Sequence, residues 1–258
     1  MKIMVMVDME GISGICRSAQ VLPDGELYAV SRKYLAWDVN ACVEGCLRGG
    51  ADYVLVRDAH CTGYNFIWED LDPRADYVQG RSLVQRMPGI EGFDGLILLG
   101  YHAMAGTPHA ILEHTMSSRG WQNFWLNGER AGELAIDAGI AGDHGVPTIM
   151  TSGDDKLCAE ARRFIKGIVA VEVKKGLDCE GGILLPKERA QKAITDGAER
   201  AVRACGKIKP YKVKSPVHMR LELTERGTVP VRKPGVKVLD GRTYEVVAKD
   251  VETALYML

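Results

Sequence analysis

Short unbroken apolar runs alternate along the chain with longer stretches in which apolar residues return every three or four positions. The runs are IMVMV (3–7), YVLV (53–56), LILL (96–99), PTIM (147–150) and IVAVEV (168–173). Rich in Val, Ile and Leu and bounded by turn residues, they predict strands buried on both faces, as in a parallel sheet. Residues 27–48 have helical spacing and stop at Gly49-Gly50, a helix C-terminal signal. Asp154 and Asp155 precede KLCAEARRFI, as acids do in a first turn, and Pro186 opens the long helical pattern KERAQKAITDGAERAVRAC. Strands alternating with helices predict an α/β fold: a mostly parallel sheet with helices on both faces.

Two segments depart from this alternation. FWLNGERAG (124–132) places Asn127-Gly128 between apolar residues, which predicts a hairpin, and GELAIDAGIAG then reads as helix. After Cys205 a basic stretch (207–214) containing Pro210 leads into three strand-like segments, VHMRLEL, VKVLD and TYEVVA, and a short terminal helix at 251–258. The expected organisation is an α/β catalytic domain over residues 1–206 and a small C-terminal α+β subdomain over 207–258.

Composition narrows the function. The 258 residues suffice for one large core, and a formal net charge of -1 without basic blocks provides no field for nucleic acid or an anionic membrane. Seven cysteines, an odd number without a C-x-x-C, argue against a disulfide framework or a thiolate zinc site and fit a reducing compartment. Cys42 and Cys46 share a helix face and read as packing. No signal-peptide pattern and no apolar stretch near the ~18 residues of a membrane span are visible, so a cytoplasmic location is expected. No dinucleotide fingerprint, Walker loop or G-x-S-x-G elbow occurs, and Ser13 is only a loose nucleophile candidate.

Candidate chemistry gathers where the predicted strands end, the edge at which open parallel sheets bind ligands. Asp8 and Glu10 follow the first strand, Asp58 and His60 the second, His102 the third, and Asp154 and Asp155 the fourth. Asp8 and Glu10, two positions apart in extended chain, point to one face, and adjacent carboxylates repel unless a proton or cation lies between them. Gly11 allows a sharp turn or a close approach to a ligand. Carboxylates with imidazoles suit zinc or manganese better than magnesium or calcium. The donors exceed one metal's needs, so a metal pair with Asp8 as bridge is a plausible reading. Each residue alone has a plainer explanation: Asp8 and Glu10 as a charged loop or cap, His60 and His102 as hydrogen-bonded loop histidines, Glu133 as a first-turn acid, Asp154-Asp155 as a helix cap. His114 reads as a packed residue, His109 as solvated, His144 as part of a turn, and His218 lies far from the site in sequence. The coincidence at successive strand ends favours a metal or active site.

In order, VDMEGISG, RDAH, LGYHAMAGTP, EHTM, LNGERAGELAIDAGIAG and SGDD resemble the bacterial D-aminopeptidase family, zinc-dependent self-compartmentalising peptidases of the dipeptide-permease-operon type. The ordered motifs cover residues 1 to about 160, and the tail is consistent. The resemblance implies two Zn2+ per chain, with metal ligands at Asp8, Glu10, His60, His102 and Glu133 and a catalytic histidine, nucleophile or base, at His114. It further implies removal of N-terminal D-residues from short peptides, and a homodecamer of two stacked five-membered rings with no nucleic-acid or membrane partner. The chain departs from the family pattern at Met6 (usually Ser), Arg57 (usually Asn) and Asp137 (usually Asn), none of which removes a ligand. The alternatives are a metal-dependent hydrolase of the same architecture acting on another amide or a phosphoester, and a non-catalytic metal- or ligand-binding assembly protein.

Overall fold

The structure, a computed structural model, describes residues 1–82 and 85–258. Among these residues the chain forms β1 (Lys2–Val7), α1 (Tyr28–Arg48), β2 (Tyr53–Asp58), β3 (Asp76–Val78), β4 (Gly95–Leu99), β5 (Trp121–Leu126), β6 (Glu129–Arg130), α2 (Glu133–Asp143), β7 (Thr148–Asp154), α3 (Asp155–Phe164), β8 (Val169–Asp178), β9 (Gly181–Leu184), α4 (Lys187–Ala204), β10 (Val217–Leu223), β11 (Val236–Val238), β12 (Thr243–Ala248) and α5 (Val251–Met257). Seven strands make the main sheet in the order β3-β2-β1-β4-β7-β8-β9. All its neighbours are parallel except β8 and β9.

The five apolar runs predicted as strands are the five inner strands of this sheet. From Ile3 to Val7 and along all of β4 every residue is buried, because helices cover both faces. The crossover through α1 runs from β1 to β2 and the one through α3 runs from β7 to β8, in opposite directions along the sheet. Right-handed crossovers then put α1 and α3 on opposite faces. α4 packs on α1, and α2 contacts α3 and α5. The α1–α4 contact is close: a Cβ at Gly45 would lie 2.7 Å from that of Ala198.

β7 runs beyond its apolar segment into TSGD, with every residue buried. Its polar side chains are used: Thr151 Oγ1 donates to Leu98 O at 2.9 Å and Ser152 Oγ accepts from Gly100 N at 3.0 Å. The Asn127-Gly128 turn has φ of 48° and 85°, the pair of positive values of a type I′ hairpin. The hairpin β5–β6 joins the tail strands in a second, antiparallel sheet of order β11-β12-β10-β5-β6. The subdomain proposed for residues 207–258 thus shares its sheet with residues 121–130. No helix among the described residues is long and apolar enough to cross a membrane.

Candidate metal centre

The strand order reverses at the β1–β4 pair, since β2 follows on one side and β7 on the other. A crevice opens at such a switch point, beyond the carboxyl ends of the strands. Asp8 and Glu10 leave β1, His60 leaves β2 and His102 leaves β4 at this edge. Glu133 opens α2, and His114 lies on the loop between β4 and β5. These six converge, although they span 125 positions from Asp8 to Glu133. Asp8, Glu10 and His60 each offer a donor atom within 4.8 Å of the others, and His102, His114 and Glu133 do the same. The groups adjoin: His102 Nε2 lies 3.3 Å from Asp8 Oδ2 and 3.3 Å from Glu133 Oε1. Asp8, Glu10, His60, His114 and Glu133 line a cavity of about 330 Å³ with Met116, Arg86 and Arg119.

The electrostatics follow from burying carboxylates among imidazoles. Burial, then the neighbouring charge of Glu10, raise Asp8 to about 7. Against the upward push of burial, His60 Nε2 at 3.2 Å holds Glu10 well below the usual carboxylate range. Glu133, also buried, is drawn down to about 2 by its bond to His102. Burial opposes protonation of His60, yet Glu10 lifts it to about 10. His102 is lifted well above its ordinary value by Asp8 and Glu133 against the same opposition. His114 goes the other way, lowered by burial and then by the charge of His102, whose ring stacks on it with centroids 4.0 Å apart. Two stacked imidazoles resist both carrying a positive charge, and His114 is the one whose protonated form is disfavoured.

The donor set fits divalent zinc. Three carboxylates and three imidazoles are mixed oxygen and nitrogen ligands. Glu10 Oε2 and His102 Nε2 are buried without a well-directed hydrogen bond, so their lone pairs are available to a cation. A metal bound among them would displace the protons that the carboxylates hold on the imidazoles. Outer contacts fix the rings: His102 Nδ1 lies 3.1 Å from Ala103 O and His114 Nδ1 2.9 Å from Leu112 O, turning each Nε2 inward. Behind His60, Asn65 donates from Nδ2 to Asp58 Oδ1 and to His60 O, and accepts from Tyr28 OH. Asp58 therefore braces the loop and is outside both donor groups.

Other candidates fall elsewhere. Asp154 caps α3, accepting from Leu157 N at 2.8 Å, and Asp155 accepts from Gly176 N. His109, His144 and His218 are exposed, and all seven cysteines are free. Ser13 donates to Asp38 and is not poised as a nucleophile. Gly11 serves a close approach of backbone to backbone, its N–H donating to Gly100 O at 2.7 Å; a side chain there would collide with Tyr101 O.

Three supporting residues escaped the sequence reading. Arg86 forks onto Asp137, Nε to Oδ1 at 2.5 Å and Nη2 to Oδ2 at 2.9 Å, and its Nη2 lies 4.0 Å from Glu133 Oε2. Tyr101 OH donates to the same Asp137 at 2.6 Å. Lys174, buried in β8, donates to the carbonyls of Glu10, Ile12 and Ile15, pinning the loop that carries Glu10. A signal for Lys174 exists: the two adjacent lysines of VAVEVKK point to opposite faces of the strand, so if either face is covered one of them is buried. Arg86 lies outside every periodic segment and left none.

A D-aminopeptidase of Bacillus subtilis (strain 168) is 31% identical over 258 residues, covering 97% of this chain and 93% of the relative. The solved structure of Zn-dependent D-aminopeptidase DppA from Bacillus subtilis, a self-compartmentalizing protease, superposes with a TM-score of 0.94 at 30% identity, over 100% of this chain and 95% of that one. The family model for peptidase M55, D-aminopeptidase, matches residues 1–258. The chain belongs to this family of peptidases.

Proposed function

We propose that this metallo-aminopeptidase releases N-terminal D-residues from short peptides, using two zinc ions per chain held by Asp8, Glu10, His60, His102 and Glu133. The observation that carries the reading is the convergence of two three-donor groups, joined through Asp8 and His102, in a buried crevice of a chain belonging to the D-aminopeptidase family. Zinc held there would supply a Lewis acid and a means of activating water near neutral pH. The chain's own residues do the rest. Asp8, which belongs to one donor group and lies 3.3 Å from His102 of the other, would serve both metals. His114, kept neutral by burial and by His102, holds Nε2 free to take a proton at the reacting end of the pocket. The acids of the crevice, Asp8, Glu10 and Glu133, favour the cationic amino end of a peptide, which limits cutting to the first residue.

A second role for His114 is favoured by one distance. Its Nε2 lies 3.7 Å from Glu133 Oε1, within the same donor group, so it could ligate. The relative's self-compartmentalizing character supports assembly of this chain into a homo-oligomer, proposed as a decamer of two five-membered rings. Elemental analysis should find two zincs per chain, and D-alanyl dipeptides should be cleaved in preference to L-alanyl ones after zinc loading. Two zincs with neither activity would retain the centre and discard the substrate.

A further inference from the structure

Beside the metal pocket lies a second recess of about 160 Å³, and the two share Ala59, Cys61 and Arg86 as walls. Three cations face it: Arg57 at the end of β2, Arg81 and Arg86. Two carboxylates are close, and both are engaged. Asp137 is held by Arg86 and Tyr101, and Asp58 by Asn65. Arg57 is left over. It is only 7% exposed, its Nε and Nη1 are buried without a hydrogen-bond partner, and among the described residues no acid pairs with it. Burial, then the charge of Arg86, depress its basicity. A buried guanidinium with idle donors is costly unless something anionic completes it. Arg57 and Asp137, two of the departures from the family pattern noted above, thus lie around the same side chain, Arg86.

We propose that this recess is a subsite for the C-terminal carboxylate of a dipeptide substrate, with Arg57 as its principal donor; the inference rests on the aminopeptidase reading above. The spacing of Arg86 supports it. Arg86 Nη2 lies 4.0 Å from Glu133 Oε2, so the cations begin beside the metal donors. One extended residue spans roughly 3.3–3.6 Å, about what separates a dipeptide's scissile carbonyl from its terminal carboxyl group. A planar guanidinium with free N–H groups matches a carboxylate. The recess is well below the roughly 300 Å³ of an ordinary small-molecule pocket, so it admits one small residue and favours the shortest peptides.

The test compares the zinc-loaded full chain on D-alanyl-D-alanine, its C-terminal carboxamide, and D-alanine p-nitroanilide, which lacks a carboxylate. The dipeptide should exceed its carboxamide in kcat/KM by a factor of about 10 to 100, the range for a charge-assisted hydrogen bond. In Arg57→Gln that preference should fall below about threefold, and Arg57→Lys should restore part of it. Because the preference is a ratio within each protein, damage to folding or metal loading does not move it. Calorimetric titration with a reduced-amide dipeptide isostere, as carboxylate and as carboxamide, reads the same preference without turnover. Equal values for dipeptide and carboxamide, or a preference that survives Arg57→Gln, overturns the subsite, while cleavage of the carboxamide or anilide leaves the aminopeptidase reading standing. No release from any of the three overturns that reading instead, and isostere binding then decides the subsite.

Discussion

The two walls of the crevice are built on different principles. One wall carries the carboxylates and imidazoles of Asp8, Glu10, His60, His102 and Glu133, most of them one to three residues beyond a strand of the main sheet. The other carries Arg57, Arg86, Asp137 and Tyr101, an ion-pair network drawn from a strand end, a loop and the middle of a helix. On the first wall the imidazoles hold Glu10 and Glu133 ionised, while burial and Glu10 push Asp8 up to about 7, around donor atoms left free inward. On the second, nearly every donor and acceptor is consumed by a neighbour, with Arg57 the exception. Reactive groups need idle lone pairs, whereas supporting groups need satisfied ones.

The comparison breaks first at Glu133. Glu133→Ala should reduce bound zinc below two per chain and lower kcat/KM by at least about 10³-fold; a variant that keeps both metals removes Glu133 from the ligand set. His114→Ala should lower kcat by roughly 10²–10⁴-fold with zinc content unchanged. Loss of metal in that variant would recast His114 as a ligand. On the opposite wall, Asp137→Ala strands Arg86 and Tyr101 without their acceptor, and unfolding in urea should show a loss of about 2–4 kcal/mol. A loss no larger than that of an exposed acid would mean that the network is ornamental to stability.

The smallest effect is one of pH. Asp38 is buried and accepts from Ser13 N at 2.7 Å and from Ser13 Oγ at 2.6 Å. Burial raises it from an ordinary 3.8 to about 6. The folded state therefore binds this proton more tightly than the unfolded chain, so the associated stability is complete below about pH 4 and is lost as pH rises through about 6. Asp38→Asn removes the titration. The stability of the native protein relative to the variant should fall by up to about 3 kcal/mol between pH 4 and 7, at roughly 1.4 kcal/mol per pKa unit. Parallel stability curves for the two proteins would contradict the shift.

How much could be read in advance differs between the walls for the same reason. The runs 3–7, 53–56 and 96–99 mark β1, β2 and β4 because strands covered on both faces tolerate little but apolar residues. The polar residues that end them are consequently conspicuous. β3 and β9 are too short or too Gly-rich to stand out, and β7 continues through Thr151 and Ser152 because their hydroxyls bond to the β4 strand and the turn after it. The tail strands were legible one by one, but their union with the Asn127-Gly128 hairpin was not, since pairing partners far apart leave no periodic trace.

By itself, then, the sequence determined the α/β alternation, the strand ends at which acids and imidazoles accumulate, and the motif order that resembles the D-aminopeptidases. Those are local matters, set by periodicity, turn chemistry and burial along contiguous residues. Only the tertiary structure decided that Glu133 leaves the role of a first-turn acid to face His102, that Asp58 braces and does not join the donors, and that Lys174 pins the Glu10 loop. It also decided that Arg57 lies buried beside Arg86 with donors unused. Each of these depends on which distant groups a side chain meets once water is excluded, and burial turns such meetings into shifts of charge that no local pattern records.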